Sequence, residues 1–223
     1  MYRFELEKLI RVEKEKNLPF TAMQGLFDGS QRLYIHANGE KEMTDAVTLT
    51  KEMGVKHVVI VGGYRANKIA DFLKQHNIPV LVEHTHSLPQ FDDDDYDLPY
   101  KLPKLLLDAG LLVALQNEDA ANFATRNLGF YAGQTVAQGL DKETALQLIT
   151  GNTAKILGVD DMYGTLEEGK SATLFISEGD ALDMRTNKLT KAYIDGRDIS
   201  LETHQTELWK RYMGKYEREK EGQ

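Results

Sequence analysis

The chain has no cysteine in its 223 residues. This excludes a disulfide framework and thiolate chemistry and leaves the cellular compartment open. No apolar run approaches membrane-spanning length. The N-terminal stretch MYRFELEKLIRVEKEK is charged and helical rather than an apolar signal core, so a cytoplasmic location is the expectation. Basic runs are missing too. With 27 Lys and Arg against 35 Asp and Glu, a net charge of −8 and only scattered lysines, the chain offers no nucleic-acid surface. Neither nucleic acid nor membrane is an expected partner. There is no P-loop, no nucleotide-binding glycine pattern after a strand and no Ser–His nucleophile elbow. The acidic run Asp92–Asp95 lacks the ordered spacing and glycine of a calcium loop, and reads as a solvated surface run. What remains is ordinary: 41% hydrophobic and 28% charged residues, enough for one good core with a small appendage.

Taken in order, residues 2–15 read as an exposed, charge-laced helix broken at Asn17-Leu-Pro19, and Leu26-Phe-Asp-Gly29 as a turn. Strands and helices then alternate. Arg32–His36 is strand-like, Lys41–Met53 has helical periodicity, and Gly54 closes that helix in the left-handed conformation. His57–Val61 is a continuous apolar run of the kind buried in parallel sheets, followed by Gly62-Gly63 and a helix through Ile69 and Leu73. Pro79–His84 is the third strand, and Gly110–Gln116, after a helix from about Tyr100 to Asp108, is the fourth. Helices over Phe130–Gln138 and Asp141–Ile149 follow, the latter capped by Asp141. Such alternation specifies βαβ units and a parallel sheet. A full (βα)8 barrel takes about 250 residues and eight strands, which this chain is too short to supply.

Residues 151–176, GNTAKILGVDDMYGTLEEGKSATLFI, join two kinds of structure. Thr153 is placed to cap a short helix through Leu157 that Gly158 stops. Gly164, Glu167-Glu168 and Gly169-Lys170 mark a turn, and Ala172–Ile176 and Lys191–Asp195 read as paired strands. The helix Leu201–Glu219 carries Leu208, Trp209, Tyr212 and Tyr216 on neighbouring turns and should dock as a closing helix.

This segment, with KAYIDGRDIS after it, closely resembles the C-terminal signature of the metal-dependent amidohydrolase superfamily, nearest to its imidazolonepropionase-like members. The resemblance runs from roughly Leu26 to the C-terminal helix. It implies an α/β fold: the C-terminal half of a TIM barrel, strands five to eight, with a small β-sandwich remnant and a C-terminal helix. The domains implied are residues 1–157, 158–200 and 201–223. The activity implied is hydrolysis of non-peptide or small-peptide C–N bonds by a metal-activated water, on an amide, lactam or dipeptide-like small molecule. The cofactor implied is a divalent metal such as zinc.

Reactive groups in a parallel barrel lie at the C-terminal ends of strands. His36 falls where the family places its strand-five histidine, as metal ligand; the other reading is a hydrogen-bonded histidine at a strand end. Many relatives carry a second histidine on the next strand, where this sequence has Gly62-Gly63 followed by Tyr64, a substrate-side candidate. His84 and His86 look like the superfamily's paired histidines but end the seventh strand instead of the first. Alternate residues share a face, so the two could chelate together; in the other reading His86 lines the substrate pocket. The strand-eight acid that takes the proton from the attacking water corresponds to Glu118 or Asp119, and a one-residue slip reverses which faces inward. Arg126 is a candidate for an ion pair or for a substrate carboxylate. The strand-one histidine pair and the strand-four carboxylate or modified lysine have no counterpart here. Three origins fit: the C-terminal part of a longer amidohydrolase, a catalytically silent relative that binds ligand, or a subunit completed by a second copy or another chain.

Overall fold

The computed structural model describes residues 18–83, 85–117 and 125–221. The chain forms two compact units, Met1–Glu118 and Asp119–Gln223.

In the first unit, two short helices, α1 (Leu18–Ala22) and α2 (Gly25–Asp28), precede the sheet. Pro19 sits in the first turn of α1, where a missing N–H costs nothing, so the segment read as a break is itself a helical turn. Four strands follow: β1 (Leu33–Ala37), β2 (Val58–Gly62), β3 (Val80–Val82) and β4 (Val113–Leu115). They form one parallel sheet in the order β1-β2-β3-β4. Between β1 and β2 lies α3 (Glu40–Glu52); between β2 and β3 a 3₁₀ turn leads into α4 (Ala70–Gln75); between β3 and β4 lies α5 (Leu98–Asp108).

The register aligns Ile35, Ile60, Val80 and Val113 in one row and His36, Val61, Leu81 and Ala114 in the next. Side chains alternate between faces along a strand, so these two rows lie on opposite sides of the sheet. Every residue of β2 is buried, as its unbroken apolar run requires. The core of this unit gathers Ile60, Val80 and Val113 from the sheet with Met43 and Val47 of α3 and Leu102 and Leu106 of α5, each no more than 2% exposed. Gly54, at φ 84°, ends α3 in the left-handed conformation that the sequence called for.

The second unit contains α6 (Leu128–Ala137), α7 (Lys142–Gln147) and α8 (Gly151–Leu157), then a three-stranded antiparallel sheet in the order β5 (Leu174–Ser177), β6 (Leu189–Ile194), β7 (Arg197–Ile199), and α9 (His204–Glu221). Asp141 caps α7 as expected, accepting from the Thr144 N–H at 2.9 Å. Thr153 does not cap α8. That helix begins two residues earlier, and the Thr153 hydroxyl donates to the Leu148 carbonyl at 3.1 Å. Gly158 stops it at φ 73°. The third strand, β7, arises because Asp195 (φ 49°) and Gly196 (φ 75°) turn the chain back on itself.

The expected docking of the last helix is not seen. Trp209, Tyr212 and Tyr216 on α9 are each more than half exposed, because no apolar surface of the described chain covers that stripe. Among the described residues no helix is long and apolar enough to cross a membrane.

The 180–187 turn holds a fully formed Arg–carboxylate pair. Arg185 donates through Nε (3.1 Å) and Nη2 (2.8 Å) to the two oxygens of Asp183, and its backbone N–H reaches Oδ1 at 2.9 Å. The side-chain bonds from Arg185 and then its backbone N–H hold the Asp183 carboxyl down to about 2. A folded-state pKa below the unfolded value stabilises above the ordinary carboxylate range and is lost as pH falls through the folded value. The turn therefore keeps this contribution down to pH near 4 and loses it between there and about pH 2. A carboxyl-carbon NMR titration should find Asp183 protonating at about 2, and Arg185→Ala should raise it part of the way to the ordinary range, since the N–H of residue 185 stays in place.

Candidate active site at the strand ends

The chemistry-bearing residues of the first unit collect where β1, β2 and β3 end. His36 is the penultimate residue of β1, and its side chain is exposed. Directly after β1, the chain is organised by Asn38. Its backbone N–H and that of Gly39 both donate to Glu42 Oε2, at 3.3 and 3.1 Å, which starts α3. Its carboxamide Oδ1 accepts the Tyr64 N–H at 3.1 Å, and its carbonyl accepts the Arg65 N–H at 3.1 Å.

These bonds require the unusual backbone that follows β2. Gly62 (φ 91°) and Gly63 (φ 64°) are both left-handed. A Cβ at Gly62 would lie 2.5 Å from Asn38 Oδ1, and one at Gly63 would lie 2.6 Å from Val80 Cγ1. The glycine pair is thus more than a loose turn: it lets the Asn38 amide lie against the end of β2.

Tyr64 and Arg65 then reach the loop after β3. Tyr64 is buried, 7% exposed, and its hydroxyl accepts the Gln90 N–H at 2.9 Å. Burial pushes the phenol above its ordinary value, against the opposing pull of that N–H. The Arg65 guanidinium lies 4.0 Å from the centre of the Phe91 ring. It bonds Asp93 at 2.8 Å and Asp94 at 3.0 Å, with Glu40 at 3.9 Å. The Asp94 side chain is only 2% exposed. The acidic run is therefore not wholly a solvated face: two of its members are the anions that Arg65 holds.

His86 is exposed and stands 6.0 Å, ring to ring, from Tyr100. At the end of β4, Gln116 Nε2 and Asn117 Nδ2 are buried amide nitrogens without a hydrogen-bond partner among the described residues. Arg126 is exposed and belongs to the second unit. His84, Glu118 and Asp119 lie outside the described residues.

The donor set can be tested against a metal. Among the described residues no three His, Asp or Glu side chains gather as a metal-holding group. β1 and β3 are separated by β2, hence by about 10 Å of sheet. Opposite His36 the adjacent strand offers Val61, an apolar residue, and at the following Gly62 the Asn38 amide fills the space a side chain would need. The described residues do not fit a metal centre. Asn38 and Arg65 were the residues that pattern reasoning passed over. A polar residue between a strand end and a helix start, facing a Gly-Gly on the next strand, was the available signal for Asn38.

A parallel sheet with helices between its strands makes the first unit an α/β fold. Residues 101–201 match the amidohydrolase family. The chain is similar to the crystal structure of an amidohydrolase from Thermotoga maritima MSB8, with 26% identity and a TM-score of 0.72, over 89% of this chain and 52% of that one. It shares its fold with an adenosine deaminase from Xanthomonas campestris with bound zinc (16% identity, TM-score 0.55, 89% of this chain and 53% of that one). A Xaa-Pro dipeptidase with bound methionine is a further fold relative (18%, TM-score 0.58, 81% and 47%). The chain thus spans about half the length of the solved structures it matches. No curated protein matches it.

Proposed function

We propose that this chain is the C-terminal part of an imidazolonepropionase-like hydrolase acting on C–N bonds of amides, lactams or dipeptide-like small molecules. In this reading β1–β4 are strands five to eight of a TIM barrel and β5–β7 are the remnant of its small β-sandwich. The observation that carries it is the family match over residues 101–201 together with a half-length correspondence to amidohydrolase structures. The resemblance implies a metal-activated water. The described residues contribute His36 to such chemistry and do not complete a donor set, so the remaining donors have to come from elsewhere: from His84, Glu118 or Asp119, and from a polypeptide carrying the missing strands and an H-x-H pair. That polypeptide is encoded in frame upstream or is a separate partner. His86, Tyr64 and Arg126 belong to the substrate side in this reading.

A second reading, a silent relative that binds without turnover, is favoured by one observation: Asn38 occupies the space beside Gly62. The two separate in one assay series. The purified chain, with and without added zinc ion, is offered N-acyl amino acids, Xaa-Pro dipeptides and small lactams, alone and mixed with a polypeptide that supplies the missing half. The expected result is no turnover alone and hydrolysis on mixing, abolished by His36→Ala. Substrate binding without turnover in the mixture would select the silent relative instead.

A further inference from the structure

We infer that the C-terminal ends of β1 and β2 and the loop after β3 are tied together by a brace of protein side chains, Asn38, Tyr64 and Arg65, that works without a metal ion. This goes beyond the proposed activity and does not depend on it.

The brace has three joints. At the first, Asn38 accepts from the Tyr64 N–H through its side chain and from the Arg65 N–H through its carbonyl, while the Ala37 carbonyl accepts from Gly63 at 2.9 Å. Three bonds in consecutive residues continue the β1–β2 pairing past the end of the strands. The second joint is Tyr64, whose buried hydroxyl takes the Gln90 N–H. The third is Arg65. Its guanidinium is sandwiched between the Phe91 ring and the carboxylates of Asp93 and Asp94, and Asp94 in turn accepts the Phe91 N–H at 3.1 Å. A long loop is thus fixed at two points, Gln90 and Asp94, to one dipeptide. An ion pair in which one carboxylate is almost wholly withdrawn from water is less screened than a surface pair and more sensitive to loss of either partner.

The loop so fastened begins at the segment that carries His86. Tyr64 and Arg65 hold that loop, and Asn38 holds their backbone from the space beside Gly62. Asn38 and Arg65 are therefore positioning residues.

Hydrogen–deuterium exchange of the full chain tests the inference, read on peptides covering residues 33–40, 58–66 and 86–97, first after chelator treatment and then with zinc ion. Protection of the Gln90 and Phe91 amides should be the same in both. Arg65→Ala should speed their exchange at least about tenfold while the β5–β7 peptides stay unchanged. Asn38→Ala should speed exchange at Tyr64, and Asn38→Asp, which keeps the acceptor oxygen, should stay within about threefold of the parent. Protection of residues 86–97 that appears only with zinc and disappears in His36→Ala would overturn the inference. So would an Arg65→Ala chain that exchanges like the parent. Should Arg65→Ala open residues 58–62 as well, the Asn38 pair decides: equal exchange in Asn38→Ala and Asn38→Asp sinks the brace.

Discussion

Gly133→Ala should unfold the second unit at a far lower temperature than the parent chain. Gly133 lies on α6 between two fully buried residues, Ala132 and Thr135. A Cβ there would fall on the Leu182 carbonyl oxygen, closer than real Cβ atoms come to anything, and would crowd the Leu182 Cβ at 3.2 Å. The obstacle is backbone, so no rotamer change relieves it. Neither can the turn swing away easily, since Leu182 is held by its N–H to Asp180 Oδ1 at 2.9 Å and Asp180 by Lys142 at 2.6 Å. Overpacking of this kind costs about 3 kcal/mol, against a gain of less than about 1 kcal/mol from replacing a helical glycine. For a unit of this size the midpoint should drop by more than about 10 °C. The control is Gly214→Ala on α9, where nothing lies within 4 Å of the new methyl; its midpoint should hold or rise slightly. Equal behaviour of the two variants in calorimetry would show that α6 does not pack on the 180–187 turn.

Gly62→His should give no metal centre and should cost the first unit about 3 kcal/mol. The substitution would set an imidazole at the end of β2, one residue beyond the Val61 that aligns with His36. Two terms oppose it. The backbone at φ 91° is one that side-chain-bearing residues rarely adopt, a strain of about 1–3 kcal/mol. The new Cβ at 2.5 Å from Asn38 Oδ1 would also expel that amide and leave the buried Tyr64 N–H without its acceptor, at about 1–3 kcal/mol. Chemical denaturation monitored on the first unit, together with metal analysis after a chelator wash, checks both parts. A variant as stable as the parent that retains stoichiometric zinc would show that Asn38 yields readily and that these strand ends accept a metal.

Much of the architecture was legible because it rests on local signals. The apolar run Val58–Val61, the helical period from Met43 to Met53 and the left-handed stops at Gly54 and Gly158 are each written within a few residues, and each appears where the pattern placed it, within one or two positions. Asp141 announces its helix for the same reason. The misses are of another kind. Thr153 has the chemistry of a cap, but the helix extends past it because Gly151 and Asn152 are buried and packed. Trp209, Tyr212 and Tyr216 make an apolar stripe whose partner a periodicity cannot supply. The site was legible only in outline. That His36 ends a strand follows from the local pattern, but the Arg65–Asp94 pair joins residues 29 apart, and nothing local marks which of four consecutive aspartates a distant arginine will choose. Asn38 escaped for the same reason: its partner, Tyr64, is 26 residues away.

The strand order of the first unit also bears on how the chain is made. Each strand of the parallel sheet pairs only with the one synthesised just before and the one just after it, and none has to be inserted between two strands already joined. As the polypeptide leaves the ribosome, β2 can dock on β1, then β3 on β2, then β4 on β3, each docking closing a single loop of modest length. A growing chain of this topology adds one strand and its helix at a time to a finished edge, so that the edge, not the whole sheet, is the surface exposed at every stage of synthesis.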